Sequence, residues 1–305
     1  MDPTNYSTHS WLRSAGITAC AAVSLVVNAY AGTTAPAANN SIQAAASWKD
    51  HTISPVTNPI FFEDAAIRTE VRPIFVHHRI DDSFLGGGDA QLYALQLRYA
   101  LTPRLALIAT QDGFMDVNND ALANPNGWMD LAVGFKYALI DNDASQFLLT
   151  PGLTFHIPTG SRDVFQGRGG GEFNPFIAFQ KGFGDFHLSG NLGWRLPVNS
   201  DEQSSVLHYS IMADYYVSDR FVPFVTFNAF SVTNAGNNIG LLSEGYDVFN
   251  FGATGSQGVT QGMIGVGFRS RLFADTWLGV AYEKAVISPK GLTDERFTLD
   301  LSIRF

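Results

Sequence analysis

Three histidines stand close to serines in a way that invites an acyl-transfer reading. His187 is followed two residues on by Ser189 and His208 by Ser210, and His156 supplies a third imidazole. A serine nucleophile needs a base within hydrogen-bond reach and a third group to orient that base. A separation of two, however, is what any strand produces between neighbours on one face. The chain has no G-x-S-x-G elbow and no H-E-x-x-H zinc motif, so it is read as a non-enzyme without cofactor or metal. "DVNND" (116–120) opens like a calcium loop, but Ala121 stands where glycine is needed and no glutamate closes it; it reads as a polar turn. "GRGGGE" (167–172) lacks the lysine of a phosphate loop and reads as a flexible loop. His77 and His78 are adjacent, point to opposite faces of a strand, and make poor joint ligands.

Most of the chemistry-bearing residues share a different property. Arg72, Arg98, Asp130, Lys136, His156, His187, Asn191, Arg195, His208, Asp214, Arg269, Asp300 and Arg304 all fall on the polar side of alternating segments. Brought into one lumen, they must pair or be hydrated, because an isolated buried charge is costly. They could equally ring a constriction that selects solutes. These are the candidate lumen and selectivity residues.

The segments that would carry them alternate with period two. In "RFTLDLSIRF" (296–305), Phe297, Leu299, Leu301, Ile303 and Phe305 oppose Thr298, Asp300, Ser302 and Arg304. "QLYALQLRYAL" (91–101), "WMDLAVGFKYALI" (128–140), "DFHLSGNLGWRLP" (185–197) and "VLHYSIMADYYV" (206–217) behave alike. Weaker versions near 67–79, 104–112, 146–157, 173–182, 220–232, 259–270 and 276–285 bring the expected count to about twelve strands, each near the ~9–11 residues that cross a bilayer obliquely. Connections alternate between tight ("TP", "DNDA", "GFGD", "SD", "LFAD") and long, the longest being the glycine-rich stretch 233–258. Short periplasmic turns alternating with long extracellular loops is the pattern of outer-membrane barrels, and a soluble sandwich has no reason for it.

Aromatics give a third signal. Tyr99, Tyr137, Phe147, Phe179, Phe186, Tyr215, Phe221 and Phe305 lie on the apolar face beside the tight turns, where an interfacial girdle belongs. Phe305, after alternating apolar residues, resembles the signal by which the barrel-assembly machinery recognises its clients. An even strand count would leave both termini in the periplasm.

The N-terminal region has its own grammar. Residues 1–31 run from Arg13 through "AGITACAAVSLVV" to "NAYA", with Ala29 and Ala31 placed as an A-x-A cleavage site, and read as a signal peptide. "ITAC" would make Cys20 a lipidated residue, but Arg13 leaves too short an apolar region before it. Cys20 is the only cysteine, so the processed chain has no disulfide framework. Asp2 and Arg13 cancel, and the net charge of −9 survives cleavage. An acidic surface argues against nucleic acid as a partner. Residues 32–66 do not alternate and are expected to be a periplasmic extension or a lumen plug, ahead of the barrel at 67–305.

"LRYALTPRLALIA", "WMDLAVGFKYALI", "LLTPGLTFHIPTGSRD" and "LSGNLGWRLP" resemble the outer-membrane barrels labelled as transporters of the phenol meta-degradation pathway type. Ala100 and Pro103 depart from the usual turn of that family, but proline suits the first central position of a type I turn. The resemblance implies passage of small molecules, aromatic ones included, across the outer membrane of a Gram-negative-type bacterium. The sequence is therefore read as an all-β, transmembrane antiparallel barrel with an N-terminal signal peptide. It is expected to be a narrow channel for passive or facilitated diffusion, with membrane lipid, assembly machinery and a small solute as partners. The competing reading is a sealed barrel with a structural or surface-recognition role; a barrel hydrolase ranks third.

Overall fold

The computed structural model describes residues 47–305. The signal-peptide expectation and the first part of the 32–66 segment fall outside them. Twelve antiparallel strands form the described wall, several built from consecutive segments. They are β1 (Glu70–Ile80), β2 (Gly88–Thr102), β3 (Leu105–Gln111, continued by Phe114–Asn118) and β4 (Asn126–Trp128, Leu131–Tyr137 and Ile140–Asn142). β5 (Phe147–Ile157), β6 (Glu172–Phe183), β7 (Phe186–Pro197) and β8 (Ser205–Tyr215) follow. The ring is completed by β9 (Val222–Asn234), β10 (Thr260–Phe273), β11 (Thr276–Ala285) and β12 (Glu295–Arg304). Each strand pairs with its sequence neighbours, and β1 pairs with both β2 and β12, so no edge is left open.

What the strands bury is the reverse of a water-soluble protein. Along β2, Tyr93, Leu95, Leu97, Tyr99 and Leu101 are all exposed, while Gln96 and Arg98 between them are buried. On β12, Arg296, Thr298, Asp300 and Ser302 are buried and Phe297 and Leu299 exposed. Water selects against that arrangement; a lipid solvent outside and a polar interior select for it. Tyr99, Tyr137, Phe186, Tyr215 and Phe221 are exposed on the outer face close to the tight turns. The alternating pattern thus fixes register as well as fold, since a slip of one residue would turn every charge toward lipid.

The long connections are structured. The 167–172 stretch, expected to be a flexible loop, is pinned: Gly167 N donates to Asp130 at 2.9 Å and Gly169 N to Glu202 at 3.1 Å. Gly169 has φ of +69°, and a Cβ there would lie 2.0 Å from Gln203 Oε1, so glycine serves close approach as well as turning. Asp116 sits exposed on the second part of β3, and Asn119 caps a short 3-10 turn, Asp120–Leu122, in keeping with the polar-turn reading of "DVNND".

Candidate functional site

Two segments enter the ring from opposite ends. From the tight-turn end, residues 47–69 rise as a hairpin whose apex is a turn at Asn58, where Phe61 N and Phe62 N both donate to the Asn58 carbonyl. Ser47 caps the short helix Trp48–His51 that starts it. Ile53, Val56 and Phe62 pack against Met212, Phe224 and Trp277 of the wall. Polar residues grip the backbone between them: Gln180 donates to Ile53 O at 3.2 Å, Arg269 to Ser54 O at 2.7 Å, and Gln96 to Pro59 O at 2.6 Å. An irregular segment can lie in the lumen because the inward polar side chains satisfy its peptide groups.

Its acidic residues meet the wall cations. Arg98 donates to Glu63 at 2.9 and 2.6 Å and to Glu70 at 3.1 Å. Lys136, fully buried, reaches Glu63 at 2.6 Å and Asp64 at 3.1 Å. Asn191 donates to Glu63 O at 3.0 Å. Arg72 pairs with Asp300 and donates to Pro55 O at 2.7 Å, while Arg269 reaches Asp300 at 2.8 Å. Charges at this depth persist because each finds a partner and several hydrogen bonds.

From the other end, the connection between β9 and β10 folds inward. Asp247 pairs with Arg296 at 2.5 Å, Tyr246 Oη donates to Asn228 O at 3.0 Å, and Glu244 accepts from Phe251 N and Ala253 N, each at 2.7 Å. The two inserts meet at mid-lumen, where Phe230 lies 5.7 Å from Phe61 and 4.4 Å from Tyr246 between ring centroids. Phe61 is boxed by His156 (5.4 Å), His208 (4.9 Å) and the Arg195 guanidinium (4.7 Å). Arg195 also donates to Glu172 at 2.7 Å and to Tyr246 O at 3.1 Å, so one side chain touches both inserts.

The remaining candidates are placed as follows. His208 Nε2 lies 2.7 Å from Asn174 Oδ1, and His187 Nδ1 lies 2.7 Å from Asp214, both inside the ring. Asp130 joins no ion pair but lines one small cavity with Glu172 and Arg195, and it accepts from Gly160 N at 2.8 Å as well as Gly167 N. Arg304 lies at the tight-turn mouth, partly exposed, over the Trp277 ring. Phe305 is exposed, and its N–H donates to Thr69 O at 3.1 Å. No serine stands within hydrogen-bond reach of His156, His187 or His208 among the described contacts, so the histidines are paired or stacked without forming a nucleophile dyad.

Sequence reasoning overlooked Glu63, Asp64, Glu70, Glu172, Asp247, Glu283 and Arg296. Arg296 and Glu283 share the parity of Asp300 and of the inward residues of β11, so alternation carried them. Glu63, Asp64 and Asp247 lie outside strands, where no period points inward.

A family model described as "Putative MetA-pathway of phenol degradation" matches residues 71–272. Among solved structures, an outer membrane channel from Pseudomonas putida F1 is similar at 16% identity and TM-score 0.58, over 83% of this chain and 100% of that one. The NanC porin is similar at 12% identity and TM-score 0.51, over 78% of this chain and 100% of that one. No curated protein sequence matches the chain. These structural likenesses speak to the fold.

Proposed function

Because the chain belongs to the family described as "Putative MetA-pathway of phenol degradation", we propose that this outer-membrane barrel is a gated channel for small solutes, aromatic ones among them. One observation carries the reading: the lumen is closed by two inserted segments, not by wall side chains alone. Eight-stranded barrels are filled by their own side chains and about 16 strands leave an open pore, so twelve fall between and leave room for inserted chain. Here two inserts occupy it, held by ion pairs such as Lys136–Glu63 and Arg296–Asp247. The wall charges would set selectivity once an insert withdraws. The same satisfied network favours a second reading, a sealed barrel whose long loops face outward for recognition.

Planar-bilayer recordings separate the two. The refolded chain without residues 1–31 is compared with one also lacking 32–66 and one whose 236–257 loop is replaced by a short glycine–serine turn. Rare openings in the first and larger, frequent ones when both changes are combined are expected. Silence from the doubly altered barrel, with folding verified, would sink the channel and favour the sealed form.

A further inference from the structure

At the long-loop end lies a second feature that the lumen account does not use. A largely enclosed cavity of about 160 Å³ opens between five of the long connections and is lined entirely by apolar residues. Its walls are aromatic: Phe165 stands edge-on to Phe249 (5.7 Å) and Phe251 (5.2 Å), and Phe84 is stacked on Phe251 at 5.9 Å. Leu85, which is exposed, borders it toward the outside, and Leu122 and Ile239 close its sides. Phe249 and Phe251 belong to the same continuous apolar cluster as Tyr246, Phe230 and Phe61. The cavity therefore sits directly on the insert that closes the pore.

From this geometry we infer a capture site for an unhydroxylated monoaromatic hydrocarbon, a ring of the size of benzene or toluene. The inference rests on the channel reading and narrows its solute. Three observations point to that class. An apolar cavity of roughly 150 Å³ stays dry and takes up benzene, and this one matches in size. Edge-on and offset rings leave slots that a further ring fills in the geometry aromatic pairs prefer. No polar surface faces the cavity, so a phenolic hydroxyl would enter without a partner. An unpaired hydroxyl weakens binding by about tenfold or more.

Crystals of the chain lacking residues 1–31, soaked in bromobenzene, locate the ring by the anomalous signal of bromine. Fluorobenzene titrations by ¹⁹F NMR, on the same chain in lipid nanodiscs, measure affinity; subtracting Leu122→Trp removes partition into lipid. Ile239→Trp provides a second filled cavity should the first variant misfold. Bromine density among Phe84, Phe165 and Phe251 is expected, with binding lost at least tenfold in the filled variants and p-fluorophenol at least about tenfold weaker than fluorobenzene. An empty cavity, equal binding by the filled variants, or a phenol bound as tightly as the hydrocarbon would overturn the assignment. Bromobenzene bound in a barrel that never conducts would leave the site standing and count against the channel alone.

Discussion

Lys136 is a wall residue whose carboxylate partners, Glu63 and Asp64, both come from the inserted hairpin. Removing one member of a buried pair strands the other, at a cost of roughly 3–5 kcal/mol. Glu63→Ala should therefore destabilise the barrel in urea titrations, since it takes one carboxylate from both Lys136 and Arg98 and leaves them only Asp64 and Glu70. Pairing it with Lys136→Met should recover part of the loss, with a coupling of about 0.5–3 kcal/mol in the double-mutant cycle; simple additivity would show the contact to be idle. A different ion pair ties two long loops at the rim, where Lys290 reaches Asp81 at 2.8 Å and Asp294 at 2.9 Å. The hydrogen bond from Lys290, then those from Ser83, hold the Asp81 carboxyl down at about 2, and the bonds to Asp81 and Asp294 push Lys290 upward. A depressed acid contributes above its unfolded pKa and loses that contribution as pH falls through the folded one; a raised lysine contributes below its unfolded value. The tie should hold from about pH 4 to about pH 10 and release near pH 2. Hydrogen exchange of residues 81–87 checks this, and Lys290→Ala should remove the tie's protection across that whole range. At this scale the wall cations were legible, because a charge inside an alternating run has only one face to occupy. Their acidic partners at 63, 64 and 247 were not, because irregular chain carries no period.

Among the elements, β3 shows what alternation conceals. Its two parts are separated by Asp112 and Gly113, which in sequence look like the start of a turn, and the stretch "GFMDVNNDALANPNG" (113–127) reads as a long loop. The strand instead resumes at Phe114–Asn118 and pairs with Asn126–Trp128 of β4, lengthening the hairpin. Asp112 Oδ1 accepts from Leu95 N at 2.6 Å, standing in for the missing ladder bond. Gly113 has φ of +117°, and a Cβ there would fall 2.3 Å from Tyr93 O. Beside the break the wall holds an apolar cleft of about 690 Å³ lined by Pro73, Tyr93, Leu95 and Trp128. Gly113→Ala should cost about 1–3 kcal/mol of stability by forcing strained backbone, read as a lower urea midpoint with an unchanged slope. Strand positions and loop parity were readable because lipid on one side and polar interior on the other enforce the period. An interruption bridged by a side chain leaves that period intact on either side and so escapes notice.

For the molecule as a whole, closure and charge are linked. Residues 32–66 contain Lys49, Asp50, Glu63 and Asp64, so their loss removes one positive and three negative side chains. Lys136 then has no acidic partner among the described contacts, while Arg98 keeps Glu70 and Arg72 and Arg269 keep Asp300. The truncated barrel should favour anions, measured as a reversal potential in a salt gradient, and Lys136→Met should weaken that preference. Cation selectivity in the truncated form would mean that the conducting path avoids these residues. An acidic protein thus need not be a cation channel, since its negative charges can belong to the stopper.

Arg72 belongs to the first strand and Asp300 to the last, so their pair spans the line where the ring meets itself. The same Arg72 holds the carbonyl of Pro55. One guanidinium therefore registers two events, the meeting of the strands and the arrival of the hairpin. During synthesis the hairpin emerges before any strand, and Asp300 comes almost last. The pair that ties the first strand to the last therefore also holds the hairpin, so wall closure and hairpin docking share one side chain. A change that loosens this one guanidinium acts on the seam of the wall and on the seat of the hairpin together.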